Sequence, residues 1–139
     1  MIAQLEQVPN DLLERLPLFP LPNMVFFPGM LLPLQVFEPR YLALMTHCLA
    51  SERIFAVPLL KPGYESDYEG RPPIHELVGA GVISGHRTKD DGTMTVVVRG
   101  IERLRIIDEL PPEDSFRLAR AERVSQQGGD LTSVRRWWF

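Results

Sequence analysis

Leu16–Tyr41 reads LPLFPLPNMVFFPGMLLPLQVFEPRY. Six of the chain's thirteen prolines fall in it, among large apolar residues, with no charged side chain before Glu38. A proline every few residues removes backbone donors and fixes φ, which rules out a long helix. The stretch is too apolar to be a solvated linker. Short buried strands joined by proline turns satisfy both constraints, with strands at Leu18–Leu21 and Leu31–Phe37 around a turn at Asn23–Gly29.

Working outward, Leu5–Leu16 offers a short helical lead-in that Pro9 interrupts. Downstream, Glu38–Pro39 opens a helix, since proline suits the first helical position and an acidic residue there suits the dipole. Tyr41, Leu44, Met45, Cys48 and Leu49 recur at helical spacing to about Ala50. Ile54–Leu60 is an apolar strand expected to be buried on both faces. Lys61–Glu76 is polar, with prolines and glycines, and reads as a long surface loop. In Leu77–Thr88 (LVGAGVISGHRT), Gly79, Gly81 and Gly85 mark bulges or a sharp bend in a strand. Asp91–Gly92 gives a hairpin turn into Thr93–Arg99. Leu104 and Ile106 alternate with Arg103 and Arg105, a strand with one wet face. Phe116–Val124 is a last strand whose apolar parity slips near Leu118–Ala119, and Gly128–Gly129 ends the compact part. Short strands with one main helix predict an α+β fold, mainly β: a mostly antiparallel sheet closed into a barrel, with the helix packed at one opening.

Bulk properties set the class. The 139 residues suit one domain with a core of its own, and the 45% hydrophobic and 24% charged composition is globular. A formal net charge of −3 gives no whole-protein attraction to nucleic acid or anionic lipid. Cys48, the single cysteine, forms no internal disulfide. The acidic residues Glu6, Asp11 and Glu14 near the start do not fit a signal peptide. The longest apolar run, Met24–Leu34, is broken by Pro28 and falls short of the ~20 residues that span a bilayer. The expectation is a cytoplasmic protein.

Three pieces in order carry a resemblance: LPLFPLPN with FPG and LPL, then FEPRY opening the helix, then VGAGVISGHRT leading to VVVRGIERLRI. From about Leu16 to Val124 the chain resembles the N-terminal substrate-binding domain of the ATP-dependent Lon protease, and more closely the stand-alone bacterial proteins made of that domain. The resemblance implies a six-stranded PUA-like pseudo-barrel over residues 1–127, with 128–139 as a C-terminal tail. Asp130–Phe139 (DLTSVRRWWF) then reads as the first turns of a truncated helical subdomain or as a natural short tail. No GxxxxGK[ST] phosphate loop and no serine–lysine protease domain accompany it, so ATP hydrolysis and proteolysis are not carried over.

No residue is assigned to catalysis, a cofactor or a metal. His47 and Cys48 are helix neighbours about 100° apart, so they do not face each other. Cys48 lies on the apolar stripe. His47, Cys48, His75 and His86 lack the short paired spacings of zinc ligands. Asp67, Glu69, Asp90, Asp91, Glu113 and Asp114 sit in polar loops, and no serine stands in a GxSxG elbow. Arg99, Arg103, Arg105, Arg117, Arg120 and Arg123 are the best case for nucleic acid. Glu102, Asp108, Glu109, Glu113, Asp114 and Glu122 match them in number, so cross-strand ion pairs are the expected use. Glu38, Pro39, Arg40 and Tyr41 read as a structural helix start, with Glu38 facing exposed amides and Arg40 paired to a nearby acid.

The remaining candidate is apolar. Met24, Phe26, Phe27 and Met30 crowd the proline turn; strand alternation sends some into the core and leaves others as an adaptable Met/Phe surface for apolar or unfolded polypeptide. The expected function is therefore non-enzymatic binding of such segments. The alternatives are an RNA-binding PUA-like module using the arginine face, or an assembly module with a fixed protein partner. Trp137, Trp138 and Phe139 form a second patch, expected to pack on the barrel or to join a homodimer.

Overall fold

The computed structural model describes residues 6–68, 70–111 and 115–124. The expected tail at 128–139, with Trp137, Trp138 and Phe139, lies outside these residues, as do Glu69, Glu113 and Asp114. Six strands and one α-helix follow one another: β1 (Leu16–Leu18), β2 (Leu31–Val36), α1 (Pro39–Leu49), β3 (Ile54–Val57), β4 (Leu77–Thr88), β5 (Met94–Glu109) and β6 (Arg117–Arg123). The lead-in forms one 3-10 turn, Asn10–Glu14, starting after Pro9.

The strands run in the order β2-β5-β4-β3-β1-β6, and β5 pairs again with β6. Five strands therefore close a ring, and β2 extends it from β5. The long β5 makes this possible. Its first half, Met94–Arg99, pairs with β2, while its second half, Leu104–Glu109, pairs with β6. Sequence reading placed two strands here. Gly100 does not separate them, because a register shift between Ala80 and Gly81 lets β5 bend while still paired to β4. One pairing, β1 with β3, is parallel rather than antiparallel. The segment between them, holding β2 and α1, supplies the crossover that a parallel pair needs.

β3 is buried on both faces and separates two apolar clusters. Ile54 and Ala56 join Leu16, Leu18, Val78, Leu104 and Val8 on one side. Phe55 and Val57 join Phe26, β2, β5 and the helix on the other. Helix α1 contributes Tyr41, Leu44, Met45 and Cys48, the helical stripe read from sequence. Val8 seals the first cluster: its N–H donates to Glu102 Oε1 at 2.8 Å and its carbonyl accepts from Arg123 Nη2 at 2.7 Å.

The glycines of β4 and β5 have a purpose beyond bulging. A Cβ on Gly79 would lie 1.9 Å from the Phe26 carbonyl oxygen, and one on Gly100 2.1 Å from that of Phe27. Gly81, the cross-strand partner of Gly100, has the Phe26 ring in the space a side chain would take. Gly85 differs: it sits at a register shift with open space around it. The first two strand glycines thus mark where the proline-rich segment lies directly on the sheet.

Burial also sets the chemistry of α1. The Cys48 thiol, fully buried and donating to the Ile54 carbonyl, is pushed up from 9.0 to about 12 by desolvation. Tyr41, stacked on Phe19 with ring centroids 4.3 Å apart, is raised from 10.0 to about 12, chiefly by desolvation.

Two outcomes follow from this packing. Gly79→Ala forces a side chain into backbone and should cost at least the roughly 1–3 kcal/mol of overpacking, whereas Gly85→Ala should leave the denaturant midpoint nearly unchanged. Because the folded forms of Cys48 and Tyr41 hold their protons more tightly than the unfolded chain, their contribution is complete below the unfolded values and is lost as pH rises toward about 12. Thermal unfolding should therefore show stability falling above about pH 9, and Cys48→Ala should postpone the onset to about pH 10, where Tyr41 begins to matter.

Candidate functional site

Asn23 has φ +56°, a left-handed conformation that turns the chain sharply after the β1 extension. The turn resets side-chain alternation, so the next residues do not follow the parity of Leu18–Leu21. Val25 points outward, 51% exposed, and Phe26 points into the core, 2% exposed. Met24 and Met30 are half-buried against that core, and Phe27 is half-buried with its carbonyl over Gly100. Phe26 is therefore no outward-facing side chain: the glycine track of β4 holds its ring inside. The turn presents Val25 and the flank of Met24 in place of a continuous Met/Phe surface.

Two adjoining hollows lie beside this turn. The outer, about 540 Å³, is lined by Asn23, Met24, Val25, Leu59, Tyr64 and His75 among others. The inner, about 200 Å³, is lined by Val25, Phe26, Leu59, Leu77 and His75, with Arg103 at its edge. Val25, Leu59 and His75 belong to both, so the two form one cleft. Its wall is fixed by backbone bonds: Leu60 N–H donates to the Leu21 carbonyl at 2.9 Å, and His75 N–H to the Leu59 carbonyl at 2.9 Å. The loop expected at Lys61–Glu76 supplies the rim and contains a 3-10 turn, Tyr64–Asp67.

That rim is tied to the helix start. Glu38 accepts from Arg40 Nε at 3.2 Å and from the Tyr68 hydroxyl at 2.9 Å, while Arg40 Nη2 donates to the Tyr68 carbonyl at 3.1 Å. The Arg40 guanidinium also sits over the rings of Tyr41 and Tyr68, 4.7 and 5.2 Å from their centroids. Glu38 was expected to face the helix amides. It makes no side-chain cap; its carboxylate is turned to the Arg40–Tyr68 clamp, where charge-assisted bonds hold it. Pro39 occupies the first helical turn and Arg40 has its acid in Glu38, as the sequence indicated.

The arginine face is an ion-pair ladder. Arg120 meets Asp108 at 3.1 Å, Arg123 meets Glu102 at 2.7 Å, and Arg105 reaches Glu76 and Glu122 at 2.6 and 3.7 Å. Arg117 is buried against Glu109, which also takes Arg71 at 3.1 Å. The parity slip comes from burial of both faces of β6, Leu118 joining the helix-side cluster and Ala119 the other, next to buried Arg117. Desolvation lowers the Arg103 guanidinium to about 10, leaving it cationic at neutral pH. Among the described residues no group of three or more His, Cys, Asp or Glu is placed to hold a metal ion, and no helix is long and apolar enough to cross a membrane.

The cleft residues that sequence reading missed are Val25, Leu59 and His75. Leu59 reads as strand core and His75 as loop, and only the meeting of the chain at Leu21, Leu59 and Ile74 sets them side by side. Val25 was hidden by its larger neighbours in NMVFF.

Comparison with known proteins places this architecture. A Lon protease of Dictyoglomus thermophilum is 27% identical over 118 residues, covering 85% of this chain but 14% of the relative. One of Flavobacterium johnsoniae is 28% identical over 126 residues, covering 90% and 15%. The chain thus spans about one seventh of the length of these relatives. The crystal structure of a Lon N-terminal domain protein from Xanthomonas campestris superposes with a TM-score of 0.65 at 27% identity, covering 84% of this chain and 63% of that one. The profile of the ATP-dependent protease La (LON) substrate-binding domain matches residues 15–135, and the chain belongs to that family.

Proposed function

We propose that this domain binds polypeptide, taking apolar segments of unfolded chains into the cleft beside Val25, and that it does so without catalysis of its own. Membership of a substrate-binding domain family supports the binding of substrate polypeptide. The observation that carries the apolar specificity is the cleft itself. Val25 is held outward over a joined pair of hollows whose inner walls are Phe26, Val57, Leu59, Leu77 and Val78. A half-exposed valine fixed by a rigid turn offers area at little entropic cost, and side chains buried around it gain by leaving water.

The arginine face supports an RNA-binding reading less well. Four of its six arginines, Arg105, Arg117, Arg120 and Arg123, already meet carboxylates across or beside their strands, and each would have to give up that partner to meet a phosphate. The clamp of Glu38, Arg40 and Tyr68 serves the cleft by fixing its rim.

Fluorescence anisotropy with a labelled, cysteine-blocked unfolded polypeptide tests the proposal. Binding should persist at about 0.5 M salt, because burial of apolar area is not screened. Val25→Asp puts a charge at the mouth of the cleft and should weaken binding about tenfold, equivalent to ~1.4 kcal/mol; exposed Val25 lets the variant keep the wild-type unfolding midpoint. Loss of binding in salt, or full binding by the folded Val25→Asp protein, overturns the proposal.

A further inference from the structure

The end of the sheet away from the ion-pair ladder has a different character. Cross-strand pairing sets out three rows there: Leu31 with Arg99 and Val82, Pro33 with Val97 and Gly85, and Gln35 with Thr95 and Arg87. β2 alternates strictly, with Leu32, Leu34 and Val36 inside and Leu31, Pro33 and Gln35 outside. Leu31 and Phe37, at the two ends of that outer row, are 61% and 64% exposed. They stand about 20 Å apart along an extended strand. The middle row is shallow, because Gly85 leaves open space beside Val97.

Charge on this face has one sign. Residues 31–37, 82–89 and 93–101 contain no aspartate or glutamate, although the whole chain carries −3. Arg87 is exposed on the Gln35 row, and Lys89 reaches the same row, its Nζ donating to Gln35 Oε1 at 3.3 Å. The neighbouring acids are engaged or sit at the hairpin tip. Glu38 is held by Arg40 and Tyr68, Asp91 accepts from the Thr93 amide at 3.0 Å, and Asp90 stands beside it in the turn.

We propose that this outer face of β2, β5 and β4 is a second interaction surface, separate from the cleft, for an acidic segment of a partner protein with apolar side chains between its carboxylates. Leu31 and Phe37 are exposed apolar anchors that gain by leaving water on docking, and Arg87 and Lys89 draw the carboxylates and fix the register. The absence of competing acids within residues 31–37, 82–89 and 93–101 makes the attraction local to this end of an otherwise acidic chain. Docking is through side chains rather than by strand addition. β2 has β5 as its single strand partner among the described residues, but Pro33 lacks the N–H that an added strand would need. The exposed apolar anchors favour protein over a phosphate backbone, which would use the cations and leave Phe37 idle.

The probe is a labelled twelve-residue peptide alternating Leu or Phe with Glu. Its controls are the Lys-for-Glu version, an oligouridylate and phosphatidylserine vesicles. The Glu peptide should bind, the Lys version should be at least about tenfold weaker, and Arg87→Glu and Phe37→Ala should each weaken the Glu peptide at least about fivefold. Both positions are exposed, so unfolding midpoints should be kept, and Val25→Asp should leave this binding unchanged, separating it from the cleft. The proposal is overturned if neither peptide binds, if both bind alike, or if Val25→Asp abolishes binding. It is equally overturned if oligouridylate or vesicles bind more tightly than the Glu peptide and Phe37→Ala leaves that binding intact.

Discussion

The contact on which the rest depends is backbone against backbone: the carbonyls of Phe26 and Phe27 lying over Gly79 and Gly100. No other residue type leaves that space, so the two strands must be bare where the proline segment crosses them. The crossing fixes three things together. It drives the Phe26 ring against Gly79 and Gly81 of β4, it sends the chain into β2 at the right place along β5, and it leaves Val25 facing out over the cleft. The outward position of Val25 is therefore a by-product of packing beneath it. A turn held only by its own side chains would pay an ordering cost on each binding event.

Much of this was legible in the chain. β4 was readable to its ends because its glycine-spaced apolar run begins after a polar loop and the strand stops before the Asp91–Gly92 turn. The helix was readable because Pro39 starts it and Tyr41, Leu44, Met45 and Cys48 share a face. Two features were not. Nothing local announces that β5 runs unbroken through Gly100, since a glycine in a strand equally marks an end or a close approach. Nothing local sets the sign of alternation after Asn23 either, because a single left-handed residue reverses which neighbours face inward. The candidate residues fell on that reversal, and so Val25 was passed over for Phe26.

Electrostatics divide the molecule along β5. Beyond Gly100, Glu102, Arg105, Asp108 and Glu109 join a ladder of opposite charges that runs into β6 and reaches the N-terminal segment through Arg123. Exposed ion pairs of this kind add little stability each. Their more important effect is to settle register, because a shift of the β5–β6 pairing by one residue would bring like charges together. Before Gly100 the strands pair through Val96, Val98 and their apolar neighbours, and the charges that remain are cations at the margin. One strand thus carries a self-satisfied half and a half whose surface groups face outward.

The closure of the ring by β1 with β6 bears on how the chain is made. Leu16 pairs with Ala119, and Val8 is held by Arg123, contacts that join the first described residues to the last. During synthesis β1 emerges first of the six strands and its partner β6 emerges last of them. The ring cannot form until nearly the whole domain has left the ribosome, and long-range closure of this kind is slow. The nascent chain therefore carries the apolar stretch Leu16–Val36 without its ring closed until β6 has emerged. The domain passes through that exposed state each time it is made.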